Sequence, residues 1–401
     1  SANNATGTNA IKVNASGTIV VGAASGIIAT AISGLNVDLD PVDVTINSSI
    51  TATGDVDVVA SNTITIGAVT IQADSDATGG GTLTITADND TSGVGDISAA
   101  NGSTLRGHTV TLIAANISSD IVTADVGTLA MTASNSITIG DTTSGGNIQL
   151  IGGTNITHNA NGDLTTTGVG TITVTATTGN ITMADGTVYG TGSGNVTLNA
   201  GTNVILGEIT TTSSTVSVTA TAGAITEVTT AETANITTTA TATFSAATGI
   251  GLTGAADIDT AIGTLVATNS TSGDIFVQES SGLIIGGTGV RTLAGNGNID
   301  VRTDAGVFTV SAVVTAHGSG NATLLATGGL LTVNAVVSST TGNLSLTGGA
   351  GVTHDAAGDL TTGGVGTISV TASANDITMA DGTVYGTGSG NVTLLAATNV
   401  I

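Results

Sequence analysis

The chain contains no cysteine and no tryptophan, and its one proline is Pro41. Without cysteine there are no disulfides and no thiolate metal sites. Basic residues are almost as scarce. Lys12, Arg106, Arg291 and Arg302 stand against 28 acidic residues, for a net charge of −24. Binding nucleic acid requires basic side chains to neutralise phosphate, so nucleic acid is excluded as a partner. The same deficit disfavours an anionic membrane surface. No uninterrupted apolar run reaches the length of a transmembrane helix, so membrane insertion is not expected. Aromatic residues are 1% of the 401 positions, which leaves nothing large to fill a wide core. No basic and apolar leader opens the chain at Ser1, as in a mature form or a window of something longer.

What remains is glycine, 59 residues of it, with threonine, alanine, asparagine and β-branched aliphatics in a chain that is 40% hydrophobic. Apolar and small polar residues alternate with period two, the mark of strands with one buried face. Such segments begin at 82 (TLTITA), 109, 128, 147, 171, 195 and 215, at steps of 27, 19, 19, 24, 24 and 20 residues. A second series begins at 298 (NIDVRT), 321, 343, 367 and 391, at steps of 23, 22, 24 and 24. No segment keeps a 3.6-residue period over three turns. The spacing predicts an all-β chain folded as a β-solenoid, with coils of roughly 20–25 residues and about 18 coils in all. Gly-Asn opens many of the strands, as at 146–147, 194–195, 297–298, 342–343 and 390–391. Both residues tolerate the left-handed backbone of a corner, and stacked asparagines can form an amide ladder.

A longer period is superposed on the short one. Residues 162–205 return almost verbatim at 358–401, and the run MADGTVYGTGSGNVTL at 183–198 recurs unchanged at 379–394. His158 and His354, and Tyr189 and Tyr385, are equivalent positions of this 196-residue repeat. The first residues also resemble the stretch just past the first copy of the repeat, since 17–29 aligns with 214–226. The expectation is one continuous solenoid over 1–401, cut from a longer array. Its ends carry no capping segment, which implies end-to-end self-association or continuation in a longer chain. Residues 30–49 are less regular and read as a bulge or side loop.

Candidate chemistry is sparse. Aspartates pair as D-x-D at Asp38/Asp40, Asp55/Asp57, Asp74/Asp76 and Asp88/Asp90. Each pair puts two carboxylates on one strand face, and these eight are the candidate ligands for calcium. Solvated turn aspartates are the competing reading. Arg302, with Asp300 and Asp304, reads as a local ion-pair group. His158 and His354 lie too far apart in coil number to share a metal and read as corner or surface residues. Arg106 is far in coil number from Arg291 and Arg302, and aromatic platforms for sugar stacking are missing, so no enzymatic activity and no cofactor other than calcium is expected.

The G-N-[IV]-T-L-x-A coils and their G-T-[IV]-x-V-T-A variants resemble the repeat arrays of filamentous haemagglutinin-like bacterial exoproteins, over about residues 17–401. The resemblance implies a right-handed parallel β-helix (β-solenoid) that forms the stalk of a secreted or cell-surface adhesin, outside a bacterium, with a glycan or protein receptor on a host or neighbouring cell. The N-P-N-G motif of the family's secretion domain is missing. The function expected is therefore a structural, non-catalytic shaft. A carbohydrate-binding or carbohydrate-cleaving β-helix and an ice-binding solenoid are the alternatives.

Overall fold

The computed structural model describes the strands at 11–14, 18–21 and 37–40 by their backbone, and residues 42–77, 80–90, 93–160 and 162–401 with their side chains. Pro41 and most of the 17–29 alignment lie outside them. Of the irregular stretch 30–49, the described part is strand at Val37–Asp40 and Asp43–Ile46. All regular elements among the described residues are β-strands, stacked in parallel as a β-solenoid of about 15 turns. This is fewer than the roughly 18 coils expected, with register steps of 19 residues in some coils and 27 in others.

The hydrogen-bonded register reproduces the short period. Thr82 pairs with Thr109, Val110 with Leu129, Leu129 with Ile148 and Ile148 with Ile172. Later, Ile299 pairs with Ala322, Ala322 with Leu344, Leu344 with Ile368 and Ile368 with Val392. These are the 27-, 19-, 19- and 24-residue steps and the 23-, 22-, 24- and 24-residue steps of the sequence.

The chain divides into two units, Ser1–Leu198 and Asn199–Ile401. In the first, each coil contributes a strand to each of three parallel columns. Leu129–Ala133, Ile137–Ile139 and Thr142–Ser144 make one coil, and Ile148–Gly152, Ile156–His158 and Leu164–Thr166 stack on them in that order. Inward positions are apolar and closed. The stack Val110, Leu129, Ile148 and Ile172 is 0% exposed throughout, and each such side chain contributes roughly 1.5–3 kcal/mol on burial. The outward positions of the same column are Thr111, Ala130, Gln149 and Thr173.

The second unit, taken by itself, also stacks its strands in three columns, and within it the phase changes. Val216–Ala220, an opening strand by sequence, stacks under residues 242–246. These pair with 265–269, and the column continues through Val290, Val314 and Val337. The later opening strands stack on Ile275–Glu279 instead, and below it on single bridges at Ile250 and Ile225. The opening strand therefore moves to a different face between residues 216 and 299, the interval in which the sequence shows no regular series. Two long strands, Ile236–Ala246 and Ile258–Asn269, run from one face onto the next there.

The Gly-Asn corners work differently from the expectation. Gly297, Gly320, Gly342 and Gly390, and Gly366 before Thr367 in the same column, have ordinary negative φ. What excludes other residues is space: a Cβ at each would collide with the carbonyl oxygen of the glycine one coil below. The asparagines form a ladder chiefly by accepting from backbone. Asn298 Oδ1 accepts from Asn321 N–H (2.9 Å), Asn321 Oδ1 from Asn343 N–H (2.8 Å) and Asn343 Oδ1 from Thr367 N–H (2.9 Å). In the first unit Asn147 Oδ1 accepts from Thr171 N–H at 2.9 Å in the same way. Each corner side chain satisfies a donor that the turn would otherwise leave open.

Candidate functional site

The eight sequence-predicted aspartates fall into three settings. Asp38 and Asp57 are register partners in adjacent strands, and Asp40 ends the strand Val37–Asp40. Asp55 is exposed at a corner, where its Oδ1 accepts from Thr82 N–H at 2.8 Å. Asp74 and Asp88 occupy left-handed turn positions, with φ of 53° and 57°. Asp74 lies 3.9 Å from His108 Nδ1, and the Asp88 carboxylate accepts from Gly93 N–H at 3.0 Å. Asp76 and Asp90 are exposed in those turns. The fold makes Asp38 and Asp57 register partners and stacks the Asp74 turn on the Asp55 corner, where Asp74 N–H donates to Gly54 O at 3.2 Å. Among the described residues, none of the eight joins a group of three metal-ligating side chains.

The recurrent histidines are interior. His158 is 2% and His354 3% exposed, which corrects the expectation of corner or surface residues. The physical reason is strand phase: His158 is in register with Ile139 and His354 with Val333, both inward positions. His158 Nδ1 donates to Gly162 O at 2.9 Å, which leaves Nε2 to accept from the Tyr189 hydroxyl at 2.6 Å. Burial pushes the His158 imidazole down to about 4 and the Tyr189 phenol well up. This pair fills the core and fixes a ring orientation. It has no exposure to a substrate.

A different cluster gathers where the second unit changes phase. Asp257 and Asp259 flank Ile258 at the start of Ile258–Asn269 and point outward, as period two requires. Both are nevertheless closed, at 6% and 7% exposed. Residues 257–260 are all buried, so here the outer face of the strand is covered as well as the inner. Exposed Glu232, in the connection before Ile236–Ala246, reaches over them. One carboxylate oxygen from each of Glu232, Asp257 and Asp259 lies within 4.8 Å of the others. Glu227, at the end of Ile225–Glu227, adds a fourth acid with both oxygens buried.

The electrostatics follow from that crowding. Burial first, and then Glu232, push the Asp257 carboxyl up to about 6. Burial and Asp257 push Asp259 up to about 7, and burial and Asp259 push Glu227 up to about 7. Arg302 is the cation that bears on Asp257, but its guanidinium is held by Asp300 through two bonds of 2.9 and 2.8 Å. This is the ion pair expected from the sequence. Asp304 is met instead by Gln278 Nε2 at 3.3 Å, which also approaches Glu232 at 3.4 Å. Stacking places these groups together: Asp259 is in register with Gln278, and Gln278 with Arg302.

Sequence reading missed this cluster. Asp257-Ile-Asp259 is another D-x-D pair, and Glu232 precedes it by about one coil. That spacing was the available signal, hidden because the regular series is interrupted there.

Searched against family models, curated proteins and solved structures, the chain matches none.

Proposed function

We propose that this chain is a structural, non-catalytic shaft of a secreted or cell-surface adhesin or filament, of the filamentous haemagglutinin-like kind, on the outside of a bacterium. The observation that carries the reading is mechanical. Within each unit the successive coils are joined by three columns of parallel strands, and Gly and Asn corners close the gaps between them. Such a stack resists extension because its hydrogen bonds lie along the stacking direction and load together. Outward positions carry threonine, serine and alanine, with a strong net negative charge that keeps neighbouring shafts apart. Partners on this reading are further copies or further coils at the ends, and a glycan or protein receptor.

The test is immunogold labelling of intact and lysed source cells, with imaging of the native particle. Surface label on rods of constant width is the expected result. Label confined to lysed cells, or a compact particle, overturns the reading. A carbohydrate-handling β-helix is favoured by one feature, the outward group of Asp257, Asp259 and Arg302. Retention on acidic and neutral polysaccharide columns, lost on Arg302→Ala, would replace the first reading with this one.

A further inference from the structure

We propose that Glu232, Asp257 and Asp259 form a binding site for a divalent cation, Ca²⁺ by its chemistry, which fastens segment 228–235 onto the outer face of the second unit. The cluster alone is an acidic surface. What points to a ligand is the state of Asp257, which is 6% exposed and whose Oδ1 is buried with no hydrogen-bond partner. A buried carboxylate oxygen without a donor is costly.

A second acid in the same coils shows the alternative that the fold can build. Glu279, in the strand that pairs with the start of Ile258–Asn269, is 0% exposed. Its Oε2 accepts from Thr260 Oγ1 and Ile262 N–H, both at 2.8 Å. Its Oε1 accepts from Ser281 N–H at 2.9 Å and Ser281 Oγ at 2.7 Å. Donors are thus supplied where a buried acid is structural. Beside Asp257 they are not, and the nearby guanidinium of Arg302 is already committed to Asp300.

The geometry suits calcium. Oxygens about 2.4 Å from a Ca²⁺ ion span up to nearly 5 Å across it, whereas Mg²⁺ holds its ligands at about 2.1 Å and demands a tighter octahedron. The three ligand atoms lie within 4.8 Å of one another. They come from one strand and one connecting segment, a mixed origin that favours the tolerant coordination of Ca²⁺. Glu232 is the one ligand on segment 228–235, so occupancy would couple that segment to the strand.

The experiment is calorimetric titration of the metal-free full chain with CaCl₂ alone, with MgCl₂ in parallel, and hydrogen exchange of 228–235 in both states. The expected result is Ca²⁺ binding that Glu232→Gln weakens at least about tenfold. Asp257→Asn with Asp259→Asn should abolish it, and Asp55→Asn with Asp57→Asn should leave it unchanged. Exchange in 228–235 should slow on Ca²⁺ addition in the wild type and not in Glu232→Gln. If the double variant at 257 and 259 fails to fold, the exposed Glu232 decides. No binding at millimolar Ca²⁺, or binding that Glu232→Gln leaves unchanged, overturns the proposal.

Discussion

The run MADGTVYGTGSGNVTL occurs twice, and the two copies do not make the same interior. In the first, Tyr189 is 0% exposed and bonded to His158, with ring centroids 4.9 Å apart. In the second, Tyr385 is half-buried and the centroids are 5.2 Å apart. There neither the Tyr385 hydroxyl nor His354 Nε2 finds a hydrogen-bond partner, although His354 Nδ1 keeps its 2.8 Å bond to Gly358 O. The local strands and registers agree: Leu164 pairs with Tyr189 and Leu360 with Tyr385. The difference lies in the covering layer. Tyr385 pairs with Leu360 and Val392–Ala396 with Ile368–Ala372 on the preceding coil, and the inward positions of Val392–Ala396 are themselves partly open. In a solenoid a side chain is buried by its neighbouring coils as much as by its own, so identical sequence gives unequal burial.

The sharpest way to break this comparison is to truncate both tyrosines. Tyr189→Ala should cost about 3–5 kcal/mol in urea unfolding of the full chain, because it opens a cavity in a closed core. Tyr385→Ala should cost about 1 kcal/mol. Equal costs would mean that the second copy is closed in solution as the first is.

Acid is the next largest perturbation. His158 is held neutral, with its folded value below the unfolded one. The unfolded chain therefore binds more protons between about pH 6.5 and 4. Stability from this site is complete above pH 6.5 and falls by up to about 3 kcal/mol as pH drops to 4. Asp257, Asp259 and Glu227 have raised values and contribute with the opposite sign in the same window. The quantity to measure is thus the difference between wild type and His158→Gln across pH 4–7. A difference independent of pH would refute neutral burial of His158.

Removing a single hydroxyl sharpens the comparison further. Tyr189→Phe should cost about 1–2 kcal/mol, since it strands a buried His158 nitrogen. Tyr385→Phe should be close to neutral, because that hydroxyl has no partner to lose. The smallest effect tests what the two units share. Asn147→Ala and Asn321→Ala each remove one exposed corner acceptor and should each cost about 0.5–1 kcal/mol. A large inequality between them would show that the corners of the two units are built differently.

The architecture was legible because its determinants are local and repeated. Alternation at 82–87 or 298–303 gives the face of each strand, and the spacing of strand starts gives the register. Handling of the corners was half legible. The Gly-Asn pairs marked the right places, but glycine is needed there for the carbonyl one coil below, which lies some 22–24 residues away in sequence. The interior location of His158 was missed because a histidine after Asn-Ile-Thr looks like the end of a strand. Its register with Ile139 settles the matter.

The sequence by itself determined the all-β class, the parallel stacking and the coil length, since alternation and glycine spacing are properties of neighbouring residues. Only the tertiary structure decided which carboxylates meet. Asp38 through Asp90 look paired along the chain, yet among the described residues none of them joins a group of three metal-ligating side chains. Glu232, Asp257 and Asp259 converge because the opening strand changes face between them, and Asp257 is left without a donor that Glu279 in the same coils possesses. Contacts between side chains of different coils depend on the change of face between residues 216 and 299, where the sequence shows no regular series.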